Sequence, residues 1–296
     1  MQREWRKRLV PFYYLLPALI GILFIYAYPI ISSVYNSFMD YNVSRSPDAT
    51  YNGIANYLKL FSDPMFPKII KNTLIYVVLS VFIQFLLGFL LAMLLVKRFP
   101  GKSVYQSIVF IPWAVAGFLI AIMFKWMFNA QWGVINDLLM KLGILDQAYP
   151  FLSSPDTSLY TAVVASVWYG LPFFAIMILA SLQSIPADLY EAADLDGAHK
   201  LRQFWSITVP YIKPTLILTV LLRIIWMFNS GDLIYIMTAG GPANSSHILP
   251  TYLFEKAFIS LDFGLASAVA AITVAFLIVF TVTYLLITKF EKSGDF

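Results

Sequence analysis

The chain contains no cysteine. That excludes a disulfide framework, a thiolate nucleophile and a thiolate metal site. It has two histidines, His199 and His247, and neither has a partner at helical spacing for a zinc pair. No GxxxxGK[ST] loop occurs, so the chain has no phosphate cradle with which to hydrolyse ATP by itself. No nucleophile and base stand in a recognisable catalytic pattern. Charge is scarce as well. Asp, Glu, Lys and Arg make up 12% of the 296 residues, roughly half the share in ordinary globular domains. The net charge of +4 is not a nucleic-acid footprint, because no soluble segment interleaves basic residues with exposed aromatics. No low-complexity segment and no internal repeat stands out.

What the chain has instead is apolar. Hydrophobic residues make up 60%, with 25 Phe, 18 Tyr and 7 Trp, a composition suited to lipid-facing and interfacial positions. About 20 apolar residues cross the hydrocarbon core. On that measure the charge-poor windows predict six spans, at residues 12–38, 72–96, 103–124, 158–183, 215–238 and 263–288. The expected fold class is an all-α polytopic membrane protein, with one transmembrane domain over residues 1–296. Pro17 and Pro29 in the first span, and Pro112 with Gly117 in the third, predict kinks. The basic start Arg3, Arg6, Lys7 and Arg8 precedes the charge-free run Leu9–Met39. That run is much longer than a signal h-region of about 7–15 residues, so it reads as an uncleaved span.

Lys and Arg set the orientation. With the N-terminus inside, the inner segments hold 12 of the 20: Arg3, Arg6, Lys7, Arg8, Lys97, Arg98, Lys102, Lys200, Arg202, Lys213, Lys289 and Lys292. The outer segments hold 7, namely Arg45, Lys59, Lys68, Lys71, Lys125, Lys141 and Lys256, and Arg223 lies within a span. Both termini and the loop at 186–213 are therefore expected in the cytoplasm. The outer loops carry NYLKLF at Asn56–Phe61, a helical stripe of Ile135, Leu138, Leu139 and Leu142, and a composition-marked turn at Thr238–Pro242.

The most polar run of its length is Leu189–Pro214, LYEAADLDGAHKLRQFWSITVPYIKP. Its charges cannot lie in lipid, yet it does not read as disorder. Pro186 with Ser184 as a cap predicts a helix start. Ala187, Leu189, Ala192, Ala193 and Leu195 are helix-compatible, and Gly197 suits a left-handed stop. A second helix from His199 to Thr208 is expected to stop at Pro210 and Pro214. The expected shape is a helix–turn–helix on one membrane face.

These residues carry a resemblance. Glu191-Ala192-Ala193, then Gly197 after three residues, then Ile207 and Val209-Pro210, resembles the EAA loop of ABC importer permeases. Val209 departs from that pattern's Leu-Pro while keeping an apolar side chain. YYLLPALIGILFIYAYPIISSVYNSF, Tyr13–Phe38, and WMFNSGDLIYIMTAGGPANSS, Trp226–Ser246, are similar to the first, maltose-type permease of carbohydrate importers. The resemblance implies the type I importer permease fold in the bacterial cytoplasmic membrane. It implies a heterodimer with a second permease, two ATPase subunits, and an extracytoplasmic binding protein that delivers the sugar. ATP and Mg would sit on the ATPases, with no cofactor or metal on this chain. It assigns ATPase coupling to Glu191, Ala192, Ala193, Asp196 and Gly197, with Glu191 the polar anchor and Gly197 the turn.

Two helix faces are candidates for the substrate pathway. Ser166, Tyr169, Gly170 and Phe173 share one face of the fourth span, and Arg223, Trp226, Met227 and Ser230 share one of the fifth. Mixed hydroxyls and aromatic rings suit a sugar, whose hydroxyls need hydrogen-bond partners and whose ring faces stack. Helix packing through small residues accounts for the same pattern. Arg223 admits three readings: a pair within the complex, snorkelling to the surface, or contact with an acidic sugar. Asp232 lies nine residues on, too far for a direct pair along a straight helix. Two alternatives to a sugar importer stay open. One is an ABC permease for another solute such as glycerol phosphate. The other is an ion-coupled transporter, for which Asp232 is the only intramembrane carboxylate on offer.

Overall fold

The computed structural model describes residues 14–97 and 99–290. Arg3, Arg6, Lys7, Arg8, Arg98 and Lys292 of the charge count lie outside the described residues, as do residues 12 and 13 at the head of the first span. Among the described residues, five helices are long and apolar enough to cross a membrane, and a bent pair makes a sixth when counted as one span. The contacts divide the chain into two compact units.

The first unit comprises the described part of Met1–Pro64 with Leu253–Ala275. Helix α1, Tyr14–Asn36, buries none of its apolar window. It carries a π-helical turn at Leu23–Ala27 just ahead of Pro29, where the sequence predicts a kink. After α1 the chain forms a short antiparallel ribbon, β1 Met39–Asp40 with β2 Thr50–Tyr51. Helix α2, Ala55–Ser62, holds the NYLKLF segment. Asn56, at the start of that segment, is buried and donates to the carbonyls of Ser37 (2.9 Å) and Met39 (2.8 Å). It thereby satisfies backbone that the ribbon leaves unpaired.

The second unit comprises Met65–Tyr252 with the described part of Phe276–Phe296. Helix α3, Met65–Leu95, packs along α7, Ser158–Gln183. Phe85 meets Phe174 edge-on at 5.9 Å. Helix α3 begins seven residues before the expected span start at 72, because Met65 to Lys71 continue the helix beyond the apolar window. The third span is broken. Helices α4, Lys102–Ala114, and α5, Gly117–Met127, meet at 93°. Val115 and Ala116 are extended there, next to the Pro112 and Gly117 that predict the kink. Helix α6, Val134–Lys141, carries the amphipathic stripe, with Leu142 at its C-cap. It is tied down by the buried Asn136, whose side chain exchanges hydrogen bonds with the Tyr149 backbone at 2.9 and 3.0 Å.

The fifth span departs from expectation in two places. Its helix is continuous with the polar loop, running as α9 from Lys200 to Asn229, with the short α8, Ala187–Leu195, before it. Pro210 and Pro214 do not stop it. A π-helical turn at Phe204–Thr208 precedes Pro210, with Val209 N bonding Phe204 O. This wider turn draws the i−4 carbonyl away from the proline ring that would otherwise break the helix. The second departure is a break at Ser230–Gly231, after which α10, Asp232–Thr238, begins. A short helix α11, Leu249–Phe254, leads through another π turn towards α12, Phe263–Thr288, which contributes residues to both units. Within the second unit, Tyr284 donates to Ile217 O at 3.1 Å. The loop after α10 is clamped by buried polar groups. Asn72 donates to the carbonyls of Ser245 (3.0 Å) and His247 (3.1 Å), and Ser158 meets Ser245 at 2.8 Å.

Candidate functional site

Two places in the second unit gather the residues that the sequence singles out. The first is the hairpin formed by α8 and the start of α9. Pro186 takes the N-cap position of α8 in an extended conformation. Ser184 does not cap it, since its hydroxyl turns back to Ser181 O at 2.8 Å. The helix ends in a Schellman turn, with Ala198 N to Ala193 O at 2.9 Å and Gly197 N to Asp194 O at 3.1 Å. Gly197 has φ of +73°, a left-handed conformation that costs any side chain about 1 kcal/mol or more. His199 then caps α9, its Nδ1 accepting from Arg202 N at 3.1 Å.

Polar side chains brace this hairpin. Asp194 accepts from Gln203 Nε2 and from Lys200 Nζ at 3.1 and 3.3 Å. Those bonds, the one from Gln203 first, hold its carboxyl below the usual carboxylate value. Gln203 also donates to Ala198 O at 2.9 Å, and Tyr190 meets Thr208 at 2.8 Å. The brace consumes Asp194 but leaves the Glu191 and Asp196 carboxylates without a partner among the described residues. Glu191, Ala192, Asp196 and Gly197 are exposed and Ala193 is half-buried. Leu195, between the two free carboxylates, is 90% exposed. The hairpin is thus a rigid, preformed surface with an apolar tip flanked by negative charge.

The second place is a cavity of about 300 Å³ inside the helix bundle. Ser166 and Tyr169 from α7 line it, as do Arg223, Trp226 and Met227 from α9 and Ser230 from the break. Six of the eight expected pathway residues therefore converge. Gly170 and Phe173 do not line it but back its wall. Phe173 packs against Trp226 at 4.9 Å and Trp113 at 6.2 Å. Gly170 lies against the arginine, where a Cβ would fall on Arg223 Nη2 and on the Gln84 side-chain amide. A larger cavity, about 520 Å³, opens near Lys125, Gln131 and Pro242. It holds no such convergence, and Lys125 is already committed to Ile236 O at 2.9 Å.

Arg223 does not snorkel. It is 6% exposed, and its Nε donates to Gln84 Oε1 at 2.7 Å. Gln84 in turn donates to Ser166 O at 2.9 Å and to Ser166 Oγ at 3.3 Å. The chain Arg223–Gln84–Ser166 ties α9, α3 and α7 together. No carboxylate of the described residues lies within ion-pair distance of the guanidinium. Asp232 nevertheless shares its cavity, because the helix ends at Asn229 and turns at Ser230–Gly231 instead of running straight on. Ser230 Oγ donates to Asp232 Oδ1 at 2.6 Å.

Helix-face spacing did not reveal Tyr76, Trp113, Gly117, Asp232 and Leu233 as lining residues, nor Gln84 behind Arg223. A lone glutamine inside SVFIQFLLGFLLAMLL is itself a signal, since polar groups in apolar spans face partners and not lipid.

Among the described residues no group of His, Asp and Glu is placed to hold a metal ion.

Residues 84–293 match the family model for the inner membrane component of binding-protein-dependent transport systems. The trehalose/maltose transport system permease protein MalF of Thermococcus litoralis is 32% identical over 289 residues, covering 98% of this chain and 97% of that protein. The sulfoquinovosyl glycerol transport system permease protein SmoG of Agrobacterium fabrum is 34% identical over 282 residues, covering 95% and 91%. In fold, the chain is similar to one from a bacterial ABC transporter involved in the import of the acidic polysaccharide alginate. The TM-score there is 0.83 at 24% identity, over 97% of this chain and 98% of that one.

Proposed function

Because the chain belongs to the binding-protein-dependent family of inner membrane components and is an ABC importer permease, we propose that its cargo is a sugar or oligosaccharide and that the α8–α9 hairpin couples it to ATP hydrolysis. In this reading the chain is a single permease with both termini in the cytoplasm. It pairs with a second permease, two ATPase subunits carry ATP and Mg, and an extracytoplasmic binding protein delivers the sugar. The chain itself performs no covalent chemistry. Trehalose and maltose, and sulfoquinovosyl glycerol, appear in the names of relatives more than 30% identical over nearly the whole chain, which supports a glycosidic cargo.

The observation that carries the coupling role is the division of labour in the hairpin. Asp194, Lys200 and Gln203 lock its shape, while Glu191 and Asp196 stay free on either side of exposed Leu195. Such a preorganised anchor loses little entropy on docking into a partner's cleft. ATP-driven closure of the ATPases would then pull on the hairpin and shift the population between inward- and outward-facing states. Within the cavity, Tyr169, Trp226, Ser166 and Ser230 offer rings and hydroxyls to the sugar.

The test is ATPase activity of the reconstituted complex with its binding protein, with and without candidate sugars. Wild type is compared with Glu191→Ala and Gly197→Asp. Sugar-stimulated hydrolysis should fall to the unstimulated level in both variants while the subunits still copurify. Unchanged hydrolysis and uptake in both would remove the hairpin from the coupling path.

A further inference from the structure

The central cavity carries both signs of charge. A guanidinium has five N–H donors and no acceptor. Arg223 uses one of them on Gln84 at 2.7 Å, and the other four meet no acceptor among the described residues. The carboxylate of Asp232 is an acceptor only. One of its oxygens takes the Ser230 hydroxyl at 2.6 Å. The other faces the break in the third span, 3.0 Å from where a Cβ on Gly117 would stand. Arg223 and Asp232 are the only charged residues that line the cavity among those described, so their formal charges cancel. Around them stand the hydroxyls of Tyr76, Ser166 and Tyr169 and the rings of Trp113 and Trp226.

A sugar hydroxyl donates and accepts, so one ring can satisfy a pure donor and a pure acceptor together. A carboxylate, sulfonate or phosphate can accept from Arg223, but it meets the exposed Asp232 as a like charge. We propose that the cavity is a charge-balanced site for an uncharged polyhydroxylated sugar, in which Arg223 donates to and Asp232 accepts from its hydroxyls, and that Asp232 is the residue that excludes anionic sugars. This rests on the sugar-importer reading above and sharpens it. On this proposal Arg223 serves an uncharged sugar and not an acidic one.

The test uses the complete permease–ATPase complex in nanodiscs without the binding protein, so that the binding protein's own selectivity does not enter. The probes are methyl β-glucoside and methyl β-glucuronide, which differ by one carboxylate. Wild type should bind the glucoside about tenfold or more tightly than the glucuronide, since like-charge juxtaposition is strongly disfavoured. Asp232→Asn should erase most of that preference by improving glucuronide binding, whereas Arg223→Gln should weaken both probes. A merely structural role for Asp232 would lower both affinities and leave their ratio unmoved. Equal binding of the two probes by wild type overturns the proposal, as does an unmoved ratio in Asp232→Asn. The wild-type ratio carries the test alone should the variant not assemble. If neither probe binds while the intact system still takes up sugar with ATP, this proposal falls and the importer reading stands. If uptake is absent as well, both fall.

Discussion

The hairpin and the cavity differ in how far apart in the chain their partners lie. In the hairpin, Tyr190 and Thr208 are 18 residues apart and Asp194 and Lys200 only six. In the cavity, the bond from Arg223 to Gln84 spans 139 residues and the bond from Gln84 to Ser166 spans 82. The hairpin is therefore a local structure at the surface, whose Asp194–Lys200 ion pair competes with solvent and contributes little alone. The cavity wall is assembled from three helices and holds a buried cation, so each of its contacts matters more. Stability risk is therefore concentrated in the cavity wall and not in the hairpin.

Three substitutions test that contrast, beginning with the largest expected effect. Gln84→Leu removes the one acceptor of a buried guanidinium. It should cost about 3 kcal/mol, as for a buried hydrogen bond to a charged group, read as a lowered melting temperature of the solubilised complex. A melting temperature equal to wild type would show that Arg223 finds another partner and that the wall is not held through Gln84. Gly170→Ala comes next. Its Cβ would fall on Arg223 Nη2 and the Gln84 amide, and overpacking of this kind costs about 1–3 kcal/mol. It should also reduce uptake by displacing the guanidinium, whereas an unaffected uptake rate would mean that the arginine's position is unimportant to transport.

The smallest effect belongs to the hairpin. Asp194→Asn should leave the melting temperature nearly unchanged while raising amide exchange across residues 194–203. The pH dependence gives the sign. Because the folded carboxyl titrates below its ordinary value of 3.8, its contribution is fully present above that value and is lost as pH falls through the lower folded value. The exchange difference between wild type and Asp194→Asn should therefore be present at neutral pH and vanish in acid below 3.8. A difference that persists unchanged in acid would mean that the carboxylate is not the brace.

The same contrast explains what could be read from the sequence. Six apolar runs were visible because lipid demands about 20 apolar residues per crossing. The hairpin was visible because its determinants are neighbours: Pro186 at the start, Gly197 at the turn, charges between. The continuation through Pro210 and Pro214 was not, since a π turn at Phe204–Thr208 has no simple compositional mark. Helix spacing found Ser166 with Tyr169, and Arg223 with Trp226, because each pair shares one face of one helix. It could not bring Tyr76, Trp113 and Asp232 to the same place, because that depends on how separate helices are packed and on a break at Ser230–Gly231. Phe173 and Gly170 carried the right periodicity but stand behind the wall, because a periodic face is wider than the strip that meets the cavity.

The uninterrupted run of α9 has a mechanical consequence. Lys200 sits in the brace of the hairpin and Arg223 in the cavity wall, on one helix and 23 residues apart, roughly 35 Å along its axis at 1.5 Å per residue. No loop separates the two ends, so displacement at one reaches the other through helix alone, moderated by the π turn at Phe204–Thr208 and by Pro210 and Pro214 between them. Under the proposed coupling, the fifth span acts as a pushrod, and its softened stretch, the π turn followed by Pro210 and Pro214, lies near the hairpin end.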